Sequence, residues 1–182
     1  MKEIFEELTE LIEINGANNV VFCLMGGMQA LLELLITLKG DGIRKAACSL
    51  FNMITTNNTK VQVFARRYGA VNLLGQLERE QTPAMRESIL SSLSAFLKAE
   101  NFPGKRQFIT EMKGLETLID MICLKDEAEK EAFGEAAQLR KIKLKLIQLL
   151  YDFVLNDDSI INDGFYVRGY MCNHEEIIPR II

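Results

Sequence analysis

The chain has 182 residues, 48% of them hydrophobic and 25% charged, with a net charge of −4. That length suits one large domain or two small ones with enough apolar material for a core. The acidic balance argues against a surface made to hold nucleic-acid phosphates, and no apolar run approaches the roughly 18–20 residues of a membrane span.

The start of the chain, Met1-Lys2-Glu3-Ile4-Phe5-Glu6-Glu7, is acidic and helical in pattern, not a signal peptide. This predicts either a cytosolic protein or one whose targeting segment lies outside this sequence. The end, Ile181-Ile182, reads as a cut. A first helix is predicted from Ile4, Phe5, Leu8, Leu11 and Ile12, which fall at n, n+1, n+4, n+7 and n+8. A short segment follows, Asn18-Asn19-Val20-Val21-Phe22. Then Gly27 opens a helix with Met28 at +1 and Leu31, Leu32 and Leu35 at +4, +5 and +8.

The same three parts return. Ala46, Ala47, Leu50, Met53 and Ile54 repeat the long pattern, with Asp41 placed to cap their helix. Asn58 through Phe64 repeats the short segment, and Gly69 precedes Ala70, Leu73, Leu74 and Leu77. Next come Ile89, Leu90, Leu93, Phe96 and Leu97, on a helix opened by Thr82-Pro83 and running to about Glu100. Asn101 through Ile109 follows, and then Gly114 with Leu115, Leu118, Ile119 and Ile122. A charge-rich stretch from Lys125 to Lys141 reads as a solvated helix extension or loop. Leu146, Ile147, Leu150, Phe153 and Val154 make the fourth long pattern. Asn173 stands where the corner glycine would be, ahead of Ile177, Ile178 and Ile181.

The long patterns are 42, 43 and 57 residues apart, a spacing that suits armadillo or HEAT repeats of roughly 40–47 residues. Each unit should be a long helix, a short helix, a glycine corner and a medium helix, with glycine supplying the backbone angles of the corner. The predicted units are about 1–40, 41–80, 81–124 and 138–182, with 125–137 a charged insertion. No unit can bury its apolar face alone, so stacking should join all 182 residues into one domain.

Little in the sequence points to catalysis. Cys23, Cys48, Cys123 and Cys172 form no CxxC, and His174 is the only histidine, so a zinc site is not expected and buried free thiols are. Gly26-Gly27 lacks a phosphate-loop context, and no GxSxG or HExxH occurs. Glu3, Glu6, Glu7, Glu10 and Glu13 read as the wet face of an amphipathic helix. The expectation is a non-enzymatic protein without cofactor or metal, monomeric, binding another protein rather than nucleic acid or membrane.

In a stacked array the long helices form one wall, and their non-core residues line the concave face. Aligning the units gives four columns: Glu3, Lys45, Ser88, Lys145; Glu6, Cys48, Ser91, Gln148; Glu10, Asn52, Ala95, Asp152; and Glu13, Thr55, Lys98, Leu155. From these come the candidate partner-binding residues Glu6, Glu10, Lys45, Asn52, Ser88, Ser91, Lys98, Lys145, Gln148 and Asp152. The face should run from acidic at the N-terminal end to mixed and partly basic later. Asn57-Asn58-Thr59 is the one glycosylation sequon, and it makes Asn57 a candidate acceptor if the protein enters the secretory pathway.

Ala46-Ala47-Cys48-Ser49-Leu50-Phe51-Asn52 resembles the third helix of an armadillo repeat, in which tryptophan and asparagine commonly occupy the places of Cys48 and Asn52. The chain has no tryptophan, and the asparagine column reads Glu10, Asn52, Ala95, Asp152, which argues against extended-peptide binding. Asn57-Asn58-Thr59-Lys60-Val61-Gln62-Val63, Lys105-Arg106-Gln107-Phe108 with Gly114-Leu115, and Leu149-Leu150-Tyr151-Asp152-Phe153-Val154 resemble the armadillo nucleotide exchange factors of heat-shock protein 70 chaperones. The last two look most like the endoplasmic-reticulum branch, the Sil-type factors acting on BiP-class chaperones. The resemblance spans about residues 10–155. It implies an all-α, right-handed armadillo-like solenoid of about four repeats. It also implies a co-chaperone that binds the chaperone's nucleotide-binding domain, holds it open and promotes ADP release in the endoplasmic-reticulum lumen. The same activity in the cytoplasm, or a generic armadillo adaptor, are the alternatives.

Overall fold

The computed structural model describes residues 2–13, 15, 17–38, 40–56, 58–80, 82–97, 113–122 and 136–155. These residues form α1 (Lys2–Glu13), α2 (Asn18–Leu24), α3 (Gly27–Thr37), α4 (Asp41–Thr55), α5 (Thr59–Arg67), a 3-10 turn (Ala70–Asn72), α6 (Leu73–Arg79), α7 (Pro83–Phe96), α8 (Gly114–Ile122) and α9 (Ala136–Leu155). The protein is all-helical, with no strand among the described residues. The order long, short, corner, medium is present in the first two units. The third shows its long and medium helices, and the fourth its long helix. The charged insertion falls mostly outside the described residues, as do Asn173 and His174.

The long helices pack in chain order: α1 on α4, α4 on α7, and α7 on α9. Each medium helix packs on the long helix that follows it, α3 on α4, α6 on α7 and α8 on α9, while α2 packs on α5. The aligned leucines sit in equivalent places: Leu50 and Leu93 are 0% exposed and Leu150 7%. The medium helices bury their predicted residues too, from Met28, Leu31, Leu32 and Leu35 to Leu115, Leu118 and Ile119, with Ile122 half-buried.

Exposure at the two ends explains the five-residue pattern. In α7, which has long helices on both sides, Ile89, Leu90, Leu93, Phe96 and Leu97 are all buried. In α1, Phe5 and Ile12 are buried but Ile4 and Leu11 are exposed. In α9, Leu146 is buried and Ile147 exposed. Positions n and n+7 therefore face the preceding long helix, and n+1 and n+8 the following one.

The corners depart from expectation. Left-handed backbone occurs at Gly26 (φ 85°), Gly69 (φ 80°) and Lys113 (φ 51°). Only Gly69 is both an aligned glycine and a corner. Gly27 and Gly114 are the first residues of their helices instead. At Gly27 the need is steric, because a Cβ there would run into the Phe22 ring. Asp41 does not cap α4; Gly40 holds that position and Asp41 is the first helical residue. There its charge favours the helix N-terminus. Thr82 and Pro83 open α7 as predicted, but Phe96 ends it earlier than Glu100, with the Leu97 amide closing on the Leu93 carbonyl.

Two polar joints lock the units. The Asn58 side chain caps α5 by accepting from the Val61 amide at 3.2 Å. Four residues on, buried Gln62 donates from Nε2 to the Thr55 carbonyl at 3.1 Å and the Ala95 carbonyl at 3.2 Å. It thereby ties the C-terminal end of α4, where the Thr55 carbonyl also accepts the Asn58 amide at 3.2 Å, to the C-terminal end of α7.

The second joint centres on Glu80, 9% exposed, which pairs with Arg44 Nη1 of α4 at 2.6 Å. It also accepts the Thr82 amide at 2.9 Å, while the Arg86 Nε donates to its carbonyl. Burial pushes this carboxyl up, but the Thr82 amide and the Arg44 guanidinium outweigh it and hold the group below its ordinary value. A carboxylate that is more acidic folded than unfolded adds stability that is complete above its unfolded value, about 4.3. That stability is lost as pH falls through the lower folded value. The thermal midpoint should therefore drop as pH falls below about 4, and less steeply in Glu80→Gln. Equal slopes in the two proteins would assign the acid sensitivity to other carboxylates.

Candidate functional site

Three grooves lie along one face, each between neighbouring long helices. The first, about 590 Å³, is walled by Phe5, Glu6, Thr9 and Glu10 of α1 and by Gly42, Lys45, Ala46 and Ser49 of α4. The second, about 140 Å³, lies between α4 and α7 and shares Lys45 and Ser49 with the first. The third, about 300 Å³, lies among α4, α7 and α9 and shares Asn52 and Ser91 with the second. The shared residues join the three into one trough across the row of long helices.

The second groove is the polar one, and α7 supplies much of that polarity. Ser88 and Ser91 donate their hydroxyl protons back to the Ala84 and Glu87 carbonyls at 3.0 and 2.9 Å. Their oxygens are then acceptors, and Lys145 Nζ donates to Ser91 Oγ at 2.7 Å. Lys145 also pairs with Glu87 at 3.0 Å, and Lys141 pairs with the same oxygen at 2.8 Å. Burial raises the Glu87 carboxyl, but hydrogen bonds from Lys141 and Lys145 and their charges prevail and hold it below its ordinary value. On α4, Asn52 Oδ1 is buried with no hydrogen-bond partner among the described residues. An unmet acceptor on a groove wall carries a desolvation cost that a ligand's donor would relieve.

Of the sequence-predicted partner residues, Glu6, Glu10, Lys45, Asn52, Ser88, Ser91, Lys145 and Gln148 all line this trough. Asp152 stands beside it, accepting from Gln148 Nε2 at 3.0 Å. Lys98 and Asn57 lie outside the described residues. Three members of the aligned columns are nearly covered: Cys48 and Ala95, 1% and 5% exposed, show only a little surface to the walls of the second and third grooves, and Thr55, 0% exposed, lines none of the three. A helix flanked on both sides has a narrower free strip than the columns assumed. The expected basic end is also weaker than its sequence suggests, since Lys145 is bound to Glu87.

Glu87 is the main residue that sequence reasoning missed. Its partners are more than fifty positions away, and no local pattern signals a contact between α7 and α9. Gly42 and Ala46 escaped notice as well. Gly42 looks like an ordinary helix-start glycine and Ala46 like a core residue, yet together they leave the first groove open.

Other chemistry is sparse. Cys23 and Cys48 are buried free thiols, as expected, and burial pushes each up to about 11. Thiols held that high are poor nucleophiles at neutral pH. Among the described residues no three His, Cys, Asp or Glu side chains are grouped to hold a metal, and no single helix is long and apolar enough to cross a membrane. Comparison with protein-family models returns no match, and comparison with curated proteins returns none either.

Proposed function

We propose that the chain is a right-handed armadillo-like solenoid of about four repeats, and that it acts as a nucleotide exchange factor for a heat-shock protein 70-class chaperone. In this reading the trough grips one lobe of the chaperone's nucleotide-binding domain while the cleft is open, so that ADP leaves and ATP can rebind. The observation that carries it is the convergence of eight sequence-predicted partner residues on one continuous trough across four successive long helices. The joint at Asn58 and Gln62 adds support, because the motif that resembles the exchange factors supplies both the α5 cap and the tie between α4 and α7.

The mechanism needs no chemistry on this chain. A protein that binds the open chaperone more tightly than the closed one shifts opening by that difference and no more. Linkage makes the effect reciprocal: the factor by which the chain weakens ADP binding equals the factor by which ADP weakens chain binding. Release of labelled ADP from a BiP-class nucleotide-binding domain should accelerate when the chain is added. The affinity for ADP should fall by about 5–150-fold, the usual range of coupling between two sites. Unchanged release across cytosolic and endoplasmic-reticulum chaperones would leave the generic adaptor reading, which a pull-down with those domains separates. Localisation of the full-length protein decides between the lumen and the cytoplasm.

A further inference from the structure

The first groove differs from the other two. It is the largest, at about 590 Å³, within the roughly 300–1,000 Å³ of pockets that hold small ligands or side chains. Its floor is apolar, built from Phe5 and Ala46. It stays open because α4 presents Gly42, Ala46 and Ser49 along one side, and a Cβ built on Gly42 meets nothing within 4 Å. Its rim is acidic: Glu6 and Glu10 are exposed and one helical turn apart, so they lie along the same edge of α1. Glu3 and Glu7 add exposed carboxylates to the same helix. Lys45, on the opposite wall, is the one cation among the described lining residues.

We propose that this groove docks a basic segment of a partner protein, seating one apolar side chain of that segment against Phe5 and Ala46 while its cationic neighbours pair with Glu6 and Glu10. The proposal rests on the reading of this face as the partner-binding surface and names the chemistry one part of it selects. Shape and charge choose the occupant together. An apolar floor of this size rewards an aliphatic or aromatic side chain and gives nothing to a purely charged one. The acidic rim repels acidic segments and draws basic ones, which sets orientation and encounter rate. A second copy of this chain is a poor occupant on the same ground, since its net charge is −4 and its α1 would bring the same carboxylates.

The test uses the whole 182-residue chain and a fluorescent, amidated peptide with one leucine set among lysines and serines. Saturable binding is expected, with amide shifts concentrated at Phe5, Thr9, Gly42 and Ala46. Replacing the peptide's leucine with alanine should weaken binding about tenfold, as loss of one buried aliphatic side chain does. A peptide with glutamates in place of the lysines should not bind measurably. Gly42→Leu fills the groove from within. It improves helix propensity at a site with free space, so the fold should be kept and binding lost by tenfold or more.

Several results would overturn the proposal: equal binding of the acidic peptide, no cost from the alanine peptide, or shifts centred on Glu87 and Lys145. A concentration-dependent dimer that Gly42→Leu abolishes would also overturn it, by placing a second copy in the groove. The peptide arms on the unaltered chain decide the matter even if Gly42→Leu misfolds. Because no chaperone is present, peptide binding with no effect on ADP release refutes only the exchange-factor reading. Accelerated ADP release with no peptide binding refutes only this one.

Discussion

Leu93→Ala is expected to destabilise the protein by about 2–5 kcal/mol, the range for truncating a leucine in a tight core. Leu93 is 0% exposed at the centre of α7, the long helix with α4 on one side and α9 on the other. With long helices packed on both sides of α7, the void is not expected to close by moving one helix without opening a gap elsewhere. Leu150→Ala, at the equivalent position of α9 but 7% exposed, should cost less, because fewer neighbours enclose it. Urea denaturation of both variants checks this. A loss below about half a kcal/mol for Leu93→Ala, far under that range, would show that the units are not aligned as described.

If the proposed exchange-factor reading holds, reversing Glu6 and Glu10 together to lysine should slow association with the chaperone about tenfold or more at low salt, the scale on which surface charge steers encounter. The helical signal should be unchanged, since both side chains are exposed. The difference from the unaltered chain should shrink as salt rises, because the screening length falls from about 10 Å at 0.1 M to about 3 Å at 1 M. Stopped-flow binding across a salt series measures it. Dissociation should change less than association, as is usual for charges at the rim of an interface. A salt-independent loss would point to disturbed packing at α1 instead, and no loss would remove the first groove from the contact surface.

Much of the architecture was legible because helical periodicity is a local property. Apolar residues at +4, +5 and +8 from an aligned glycine share one helix face wherever the helix ends up. That is why Leu31, Leu73 and Leu118 could be assigned to the core before any neighbour was known, and all three are buried. The spacing of the long patterns likewise identified the four helices that pack in order. The outward residues of those helices followed from the same periodicity, which is how eight candidates came to line one trough.

What periodicity could not supply was the width of the free strip on each helix and the partner of each charge. Both depend on the neighbours. Cys48, Thr55 and Ala95 fall on the predicted outward columns, yet α4 and α7 are flanked on both sides, so Thr55 is covered and Cys48 and Ala95 keep only a little surface on the groove walls. Ile4 and Leu11 fit the core pattern of α1 but stay exposed, because the positions that face a preceding long helix have none there among the described residues. Gly27 and Gly114 were placed at the corners by sequence register, but the left-handed residue sits one position earlier, at Gly26 and Lys113, and at Gly26 the chain bends by 75° from α2 into α3. The ion pairs that shape the trough, Lys141 and Lys145 with Glu87, join residues far apart in the chain. The sequence by itself determined which faces are apolar and in what order they recur, because those follow from bonds between near neighbours. The tertiary structure alone decided which faces are covered, which charges neutralise each other and where a groove is left open, because each depends on the distance between helices that the chain does not connect directly.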